Sequence, residues 1–208
     1  MLIPFNQLFA RHKIKADWAL HLGANTGQEA PVYDLLGIKR VIWVEALPDV
    51  HVQLYNNVAK YPGHIALQAC LSDRDNEVVT FRRANNESQS SSFLEFGTHA
   101  ASYPGTVFTE EIRMLTKRMD TFLFERGIDV GAGGFLNVDL QGAELLALRG
   151  CGDLLWFFDH AYIEVNTEEV YKGCPLVQDI DAHLAQFGLF PKETKMMKQG
   201  WGDRYYGK

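Results

Sequence analysis

Short apolar runs alternate with amphipathic stretches along most of the chain. ALHLG (19–23) reads as a buried strand and QEAPVYDLLG (28–37) as a helix, with Pro31 tolerable in its first turn and Gly37 suited to its stop. VIWVE (41–45) is a second strand. Residues 48–61 place Val50, Leu54 and Val58 four apart on one helical face, and IALQACL (65–71) is a third strand. After EVVTFRR (77–83), which alternates like an exposed strand, residues 85–106 turn polar and rich in Ser, Asn and Gly. A connection of that length without structure of its own is usually a lid or a mobile segment. The pattern resumes with a helix at 119–127, a strand at 135–140, a helix at 142–150 and a strand at 160–165. The helix at 175–188 carries Leu176, Ile180 and Leu184 on one face, and 189–197 pairs with 202–208 as an antiparallel close. Such alternation predicts a three-layer α/β/α fold: a mostly parallel sheet with helices on both faces.

The chain has 208 residues, enough for one domain spanning 1–208. At 47% hydrophobic and 22% charged residues, disorder of the whole is excluded. Twenty basic against 26 acidic side chains leave a net charge of −6, which argues against nucleic acid as a partner. Cys70, Cys151 and Cys174 are too scattered for a disulfide framework or a zinc site. No apolar run reaches the length of a membrane span, and the start has charge and proline where a signal peptide needs an apolar core. A cytoplasmic location is the expectation.

The first strand runs into Gly23-Ala24-Asn25-Thr26-Gly27, and Glu45 ends the second. A glycine turn lets a ligand approach the backbone, and an acid at the second strand end is placed to accept hydrogen bonds from a ribose. A triphosphate loop needs Lys and Ser or Thr after its last glycine, but Gln28 and Glu29 stand there. A dinucleotide site prefers a middle glycine where this chain has Asn25, and Glu29 adds negative charge where pyrophosphate would sit. S-adenosylmethionine (SAM) has no phosphate, and its cationic groups tolerate carboxylates. These residues favour SAM over NAD, with an NAD(P)-dependent oxidoreductase or a non-catalytic SAM-binding protein as the alternatives.

HLGANTGQE (21–29), VIWVEALP (41–48), ACLSD (69–73), LNVDLQGAELLALRG (136–150), IEVNTEEVYKGC (163–174) and WGDRYYGK (201–208) together resemble the FkbM-like family of SAM-dependent methyltransferases. The resemblance implies a class I methyltransferase fold, with a seven-stranded sheet whose last strand is antiparallel. It implies O-methylation, often of a hydroxyl on a sugar, glycan or natural product. It places Gly23, Asn25, Thr26 and Gly27 against the methionine part of SAM, Glu45 on the ribose, and Leu71 and Ser72 beside the adenine. Two positions depart from the family pattern: His21 stands where many relatives have Asp, and Asn137 where Lys is common.

An alcohol is a poor nucleophile while protonated, so a base within reach should help by about 10²–10⁴-fold. Asp139, after an apolar strand and before Gly142, leads the candidates; a capping role for the helix at 142–150 is compatible with its position. Glu164 is the second catalytic candidate, because a charge on an interior strand is costly unless paired. Glu144 is expected to complement its helix dipole and His21 to be scaffolding. Tyr171 fits either an acceptor pocket or an exposed turn, and Ser90, Ser91 and Ser92 either an acceptor contact or a flexible loop. Trp201 reads as core. Asp139, Glu164 and Asn166 are oxygen ligands in type, but no compact metal motif is present, so no metal is expected.

Overall fold

The computed structural model describes residues 1–208. Along the chain run α1 (Phe5–His12), β1 (Trp18–Leu22), α2 (Ala30–Leu35), β2 (Arg40–Glu45), α3 (Pro48–Val58), β3 (His64–Gln68) and β4 (Cys70–Leu71). They are followed by β5 (Val78–Ala84), α4 (His99–Ser102), β6 (Phe108–Lys117), α5 (Met119–Glu125), β7 (Gly134–Val138) and α6 (Glu144–Cys151). A 3₁₀ segment (Gly152–Phe157) then leads to β8 (Phe158–Asn166), α7 (Val177–Ala185), β9 (Phe190–Met196) and β10 (Trp201–Gly207).

Seven strands form one sheet in the order β3-β2-β1-β7-β8-β10-β9. The first five are parallel, and β10, last in the chain, runs antiparallel to both β8 and β9. This is the expected α/β/α fold of a class I methyltransferase. Strand alternation sends Leu20, Leu22, Ile42, Val44, Leu136, Val138, Ile163 and Val165 to one core, under α5, α6 and α7. Ala19, Val41, Trp43, Phe135, Tyr162 and Tyr205 go to the other core, under α1 and α2. On that second face each strand changes character toward one end of the sheet. His21, Glu45, Asn137, Glu164 and Asp203 continue the same alternation but are polar. One face of the sheet is therefore a core at one end and a polar floor at the other.

The run 65–71 does not form one strand. It breaks at Ala69, leaving β3 in the large sheet and β4 in a second sheet of order β4-β6-β5. The segment 85–106 also departs from the expectation of a structureless connection. It contains α4, bridges Arg82 to Ser92 and Phe96 to Tyr171, and buries Ser90, Ser91, Ser92 and His99. Some of its Ser and Asn side chains are used locally: the Ser91 hydroxyl accepts the Ala84 N–H at 3.0 Å, and the Asn86 amide donates to Ser90 at 2.9 Å.

Candidate active site

A cavity of about 590 Å³ opens at the polar end of the sheet, over the ends of β1, β2, β7, β8 and β10 and beneath the segment 86–106. Five carboxylates line it: Glu29, Glu45, Asp139, Glu164 and Asp203. No Lys or Arg does. None of the twenty basic side chains in the chain reaches the lining, and the Met1 amino group is the one formal cation there, so the acids outnumber the cations in the cavity. No group of three or more His, Cys, Asp or Glu side chains is disposed to hold a metal ion.

The turn after β1 is shaped as much by packing as by access. A Cβ on Gly23 would sit 1.7 Å from the Asp139 carbonyl oxygen, so only glycine lets the ends of β1 and β7 close together. A Cβ on Gly27 would lie 2.7 Å from Leu54 of α3. Between them Asn25 takes a left-handed φ of 44°, which Asn tolerates better than most residues. Its N–H donates to Glu45 Oε2 at 3.0 Å, while the Leu47 N–H donates to Oε1 at 2.9 Å. Two strand-end turns thus clamp one carboxylate at the cavity wall. Burial raises the Glu45 pKa, and these backbone donors pull it back. Glu29 stands at the start of α2, half-buried and with its pKa raised by burial, where an anion-binding helix end would leave the backbone free.

Asp139, Glu164 and Asp203 form the other end of the floor. Gln141, at a left-handed φ of 53°, directs its amide nitrogen to Asp139 Oδ1 at 2.6 Å and Glu164 Oε2 at 3.2 Å. Tyr171 Oη donates to the Gln141 oxygen at 2.6 Å. Asp203 lies directly across the β8–β10 ladder from Glu164, a like-charge pairing that costs stability unless a proton or a cation intervenes. Tyr162 Oη donates to Asp203 at 2.5 Å, and the Leu2 N–H donates to the same oxygen. Burial raises the pKa of Asp139, and it pushes Glu164 well up, with the charges of Asp139, Glu144 and Asp203 adding to the rise. Asp139 does not cap the following helix: α6 begins at Glu144 with Ala143 at its N-cap. Glu144 is fully buried and performs the holding instead, accepting the Leu140 and Gly142 N–H groups at 2.9 and 3.0 Å. Burial raises its pKa to about 7.

His21 is buried against Trp43, ring centroids 4.9 Å apart, with the Asn137 amide nitrogen 3.0 Å from Nε2. Burial lowers its pKa to about 3, so it is neutral at physiological pH and too weak a base to accept a proton there. A folded-state pKa below the unfolded one means the unfolded chain takes up the proton first. Stability is full above pH 6.5 and falls as pH drops toward 3. Between pH 7.5 and 4.5 this one group accounts for roughly 2–3 kcal/mol of lost stability. In urea unfolding at the two pH values, His21→Gln is expected to shrink the wild-type difference by about that amount; an unchanged difference would contradict the neutral buried assignment.

Of the residues singled out from sequence, Gly23, Asn25, Glu45, Leu71, Asp139 and Glu164 all border the cavity. Thr26, Gly27 and Ser72 are not brought to its wall. Thr26 is occupied by neighbours, its N–H on Asn25 Oδ1 at 2.8 Å and its carbonyl accepting from Asn57 at 2.9 Å. Ser72 is buried against α6, where a Cβ on Gly150 would lie 2.1 Å from its carbonyl oxygen. Tyr171 and Trp201 border the cavity, the first buried and not in an exposed turn. Gln141 and Asp203 were not singled out. Asp203 had a signal: an acid alternating with Tyr205 on a strand otherwise rich in aromatic and glycine residues. Gln141 had none, because its role depends on a turn conformation.

The sequence matches the methyltransferase FkbM domain over residues 21–190. No curated protein matches it. Among solved structures, the FkbM methyltransferase of Methylobacillus flagellatus KT aligns over 99% of this chain and 48% of its own, at 14% identity and TM-score 0.56. This chain thus spans about half the length of that protein. Fibrillarin of Aeropyrum pernix, solved with natively bound SAM, aligns over 93% of this chain and 67% of its own, at 15% identity and TM-score 0.52. Magnesium protoporphyrin IX methyltransferase of Synechocystis PCC 6803, with bound SAM, aligns over 98% and 75% at 8% identity and TM-score 0.52. At these identities the likeness is one of fold.

Proposed function

This chain belongs to the FkbM family of SAM-dependent methyltransferases, and from that we propose that residues 1–208 act as one domain that methylates a hydroxyl of a sugar, glycan or natural-product acceptor. The carrying observation is the charge of the cavity: five carboxylates and no Lys or Arg. Pyrophosphate would face Glu29 and Glu45 with no Lys or Arg to offset them, which disfavours a dinucleotide and with it the oxidoreductase reading. A sulfonium and an ammonium are stabilised there.

The residues present fit SAM, which supplies an electrophilic methyl group on a positively charged sulfur. Glu45, clamped by Asn25 and Leu47, retains lone pairs to accept the ribose hydroxyls. Ala46, Ala69, Cys70 and Leu71 offer an apolar wall for the adenine. Gly23 and Asn25 border the methionine end. Thr26, Gly27 and Ser72 support these segments from behind. Asp139 is the base that takes the acceptor's proton, and Glu164 is the neighbouring acid that sets its charge. Tyr103, Tyr171 and Trp201 give the acceptor side an aromatic edge, suited to the apolar faces of a ring bearing hydroxyls.

Transfer of radiolabelled methyl from SAM to panels of neutral hydroxylated, amine and thiol acceptors tests this. Labelled methyl ethers from the hydroxyl panel support the reading. Label appearing on nitrogen or sulfur alone would overturn it.

A further inference from the structure

Gln141 lies between the two candidate catalytic carboxylates. Its backbone sits in the left-handed region, which costs a non-glycine residue about 1 kcal/mol or more. Its side chain is then fully committed. The amide nitrogen donates to Asp139 at 2.6 Å and Glu164 at 3.2 Å, and the oxygen accepts from Tyr171 at 2.6 Å. The carboxylate oxygens fix which end of the amide points inward, since they pair with its NH₂ and not with its oxygen, and the Tyr171 hydroxyl donates to the oxygen at the other end. The surroundings hold Tyr171 in turn. It packs on Gly142, where a Cβ would lie 2.8 Å from the Tyr171 Cβ, and Glu144 grips the turn by the N–H groups of Leu140 and Gly142.

Two carboxyls held on one NH₂ group are close enough to repel each other when both are ionised, and the cavity around them is lined by three further carboxylates and no Lys or Arg, with the Met1 amino group the one formal cation. We propose that Gln141 is a positioning residue that holds Asp139 and Glu164 as a pair sharing one proton, leaving Glu164 as the O–H and Asp139 as the free carboxylate facing the acceptor. This deepens the methyltransferase reading and rests on it for its chemical use. As the acceptor's O–CH₃ bond forms, its proton passes to Asp139. The electron pair of the breaking C–S bond returns to sulfur, and Glu164 keeps its proton throughout.

The charged and titratable groups around the pair come from every neighbouring element. Asp203 faces them from β10, Glu144 from the start of α6, Glu29 from the start of α2, and the Met1 amino group from the chain start. Tyr171 closes the side toward the segment 86–106. The amide donors of Gln141 favour the ionised form of both carboxyls. Deleting them moves both titrations upward.

Carboxyl-carbon NMR of the ¹³C-labelled protein across pH, with Asp139→Asn and Glu164→Gln for assignment, reads this without an acceptor. Asp139 and Glu164 are each expected to report both steps of a shared titration. In Gln141→Leu the lower step should rise by one pH unit or more, a tenfold change in ionisation. Tyr171→Phe, which leaves Gln141 in place but frees its amide, should raise it in the same direction by less, and it decides the matter if Gln141→Leu does not fold. Independent titration of the two carboxyls, or steps unmoved by both substitutions, would overturn the pair. S-adenosylhomocysteine affinity measured on the same samples keeps the two readings apart. Its absence in the wild type speaks against the cofactor, whereas the titration speaks only to Gln141.

Discussion

Glu45→Gln is expected to weaken S-adenosylhomocysteine binding by about 30- to 100-fold, the equivalent of roughly 2–3 kcal/mol. The carboxylate already accepts the Asn25 and Leu47 N–H groups, one on each oxygen. Each oxygen keeps a lone pair toward the cavity, and hydrogen bonds from ribose hydroxyls to an ionised acceptor are the strong kind. Glutamine replaces one acceptor with an NH₂ that faces a backbone donor, so the local clamp and the ribose contact are lost together. Glu45→Ala removes both acceptors and leaves two amides unpaired, at a cost of about 1–3 kcal/mol each where water does not reach them. A thermal melt beside each titration separates that loss from the loss of contact. Undiminished affinity in both variants would remove Glu45 from the cofactor site.

Asp139→Asn should lower kcat for methyl transfer by about 10²–10⁴-fold while changing S-adenosylhomocysteine affinity by less than about threefold. Asparagine preserves the shape and can still meet Gln141, but it takes no proton. The Asp139 pKa is raised, chiefly by burial, with the Gln141 hydrogen bond opposing. A base so tuned lies closer to working pH than an exposed carboxylate does. The rate should fall on the acid side as Asp139 becomes protonated, and that limb should vanish in the variant. An unchanged kcat would mean that positioning alone carries the rate.

Much of the sheet was legible because its strands are buried on both faces and bounded by glycine or proline. VIWVE and FLNVDL need no partner to be recognised. What escaped had weaker local signals. In FTEEIRMLTK (β6) charged residues interrupt the apolar positions, because one face of that strand is exposed and the other only partly buried. In α1 the spacing of Phe5, Leu8 and Phe9 is helical, and all three are buried under the sheet, yet the stretch is short. The segment 85–106 looked like a mobile connection because its order comes from side-chain-to-backbone bonds among Ser, Asn and Tyr171, to which hydrophobic periodicity is blind.

The lining of the cavity was legible where one residue sits at one strand end, as with Glu45, Asp139 and Glu164. It was not legible where the arrangement depends on neighbours across the sheet. Asp203 meets Glu164 only through the β8–β10 register, and Gln141 reaches two carboxylates only through a left-handed turn. The glycines carry a related lesson. Gly23 is required by the Asp139 carbonyl and Gly27 by Leu54, so the turn's composition reports the packing of this protein before it reports a ligand.

Calorimetric titration of the wild-type protein with S-adenosylhomocysteine, NAD⁺ and NADP⁺, in one buffer at neutral pH, puts the nature of the cavity to the test. A wall of five carboxylates with no Lys or Arg predicts micromolar binding of S-adenosylhomocysteine and no heat from either dinucleotide. Binding of a dinucleotide with silence from S-adenosylhomocysteine would contradict the methyltransferase reading outright.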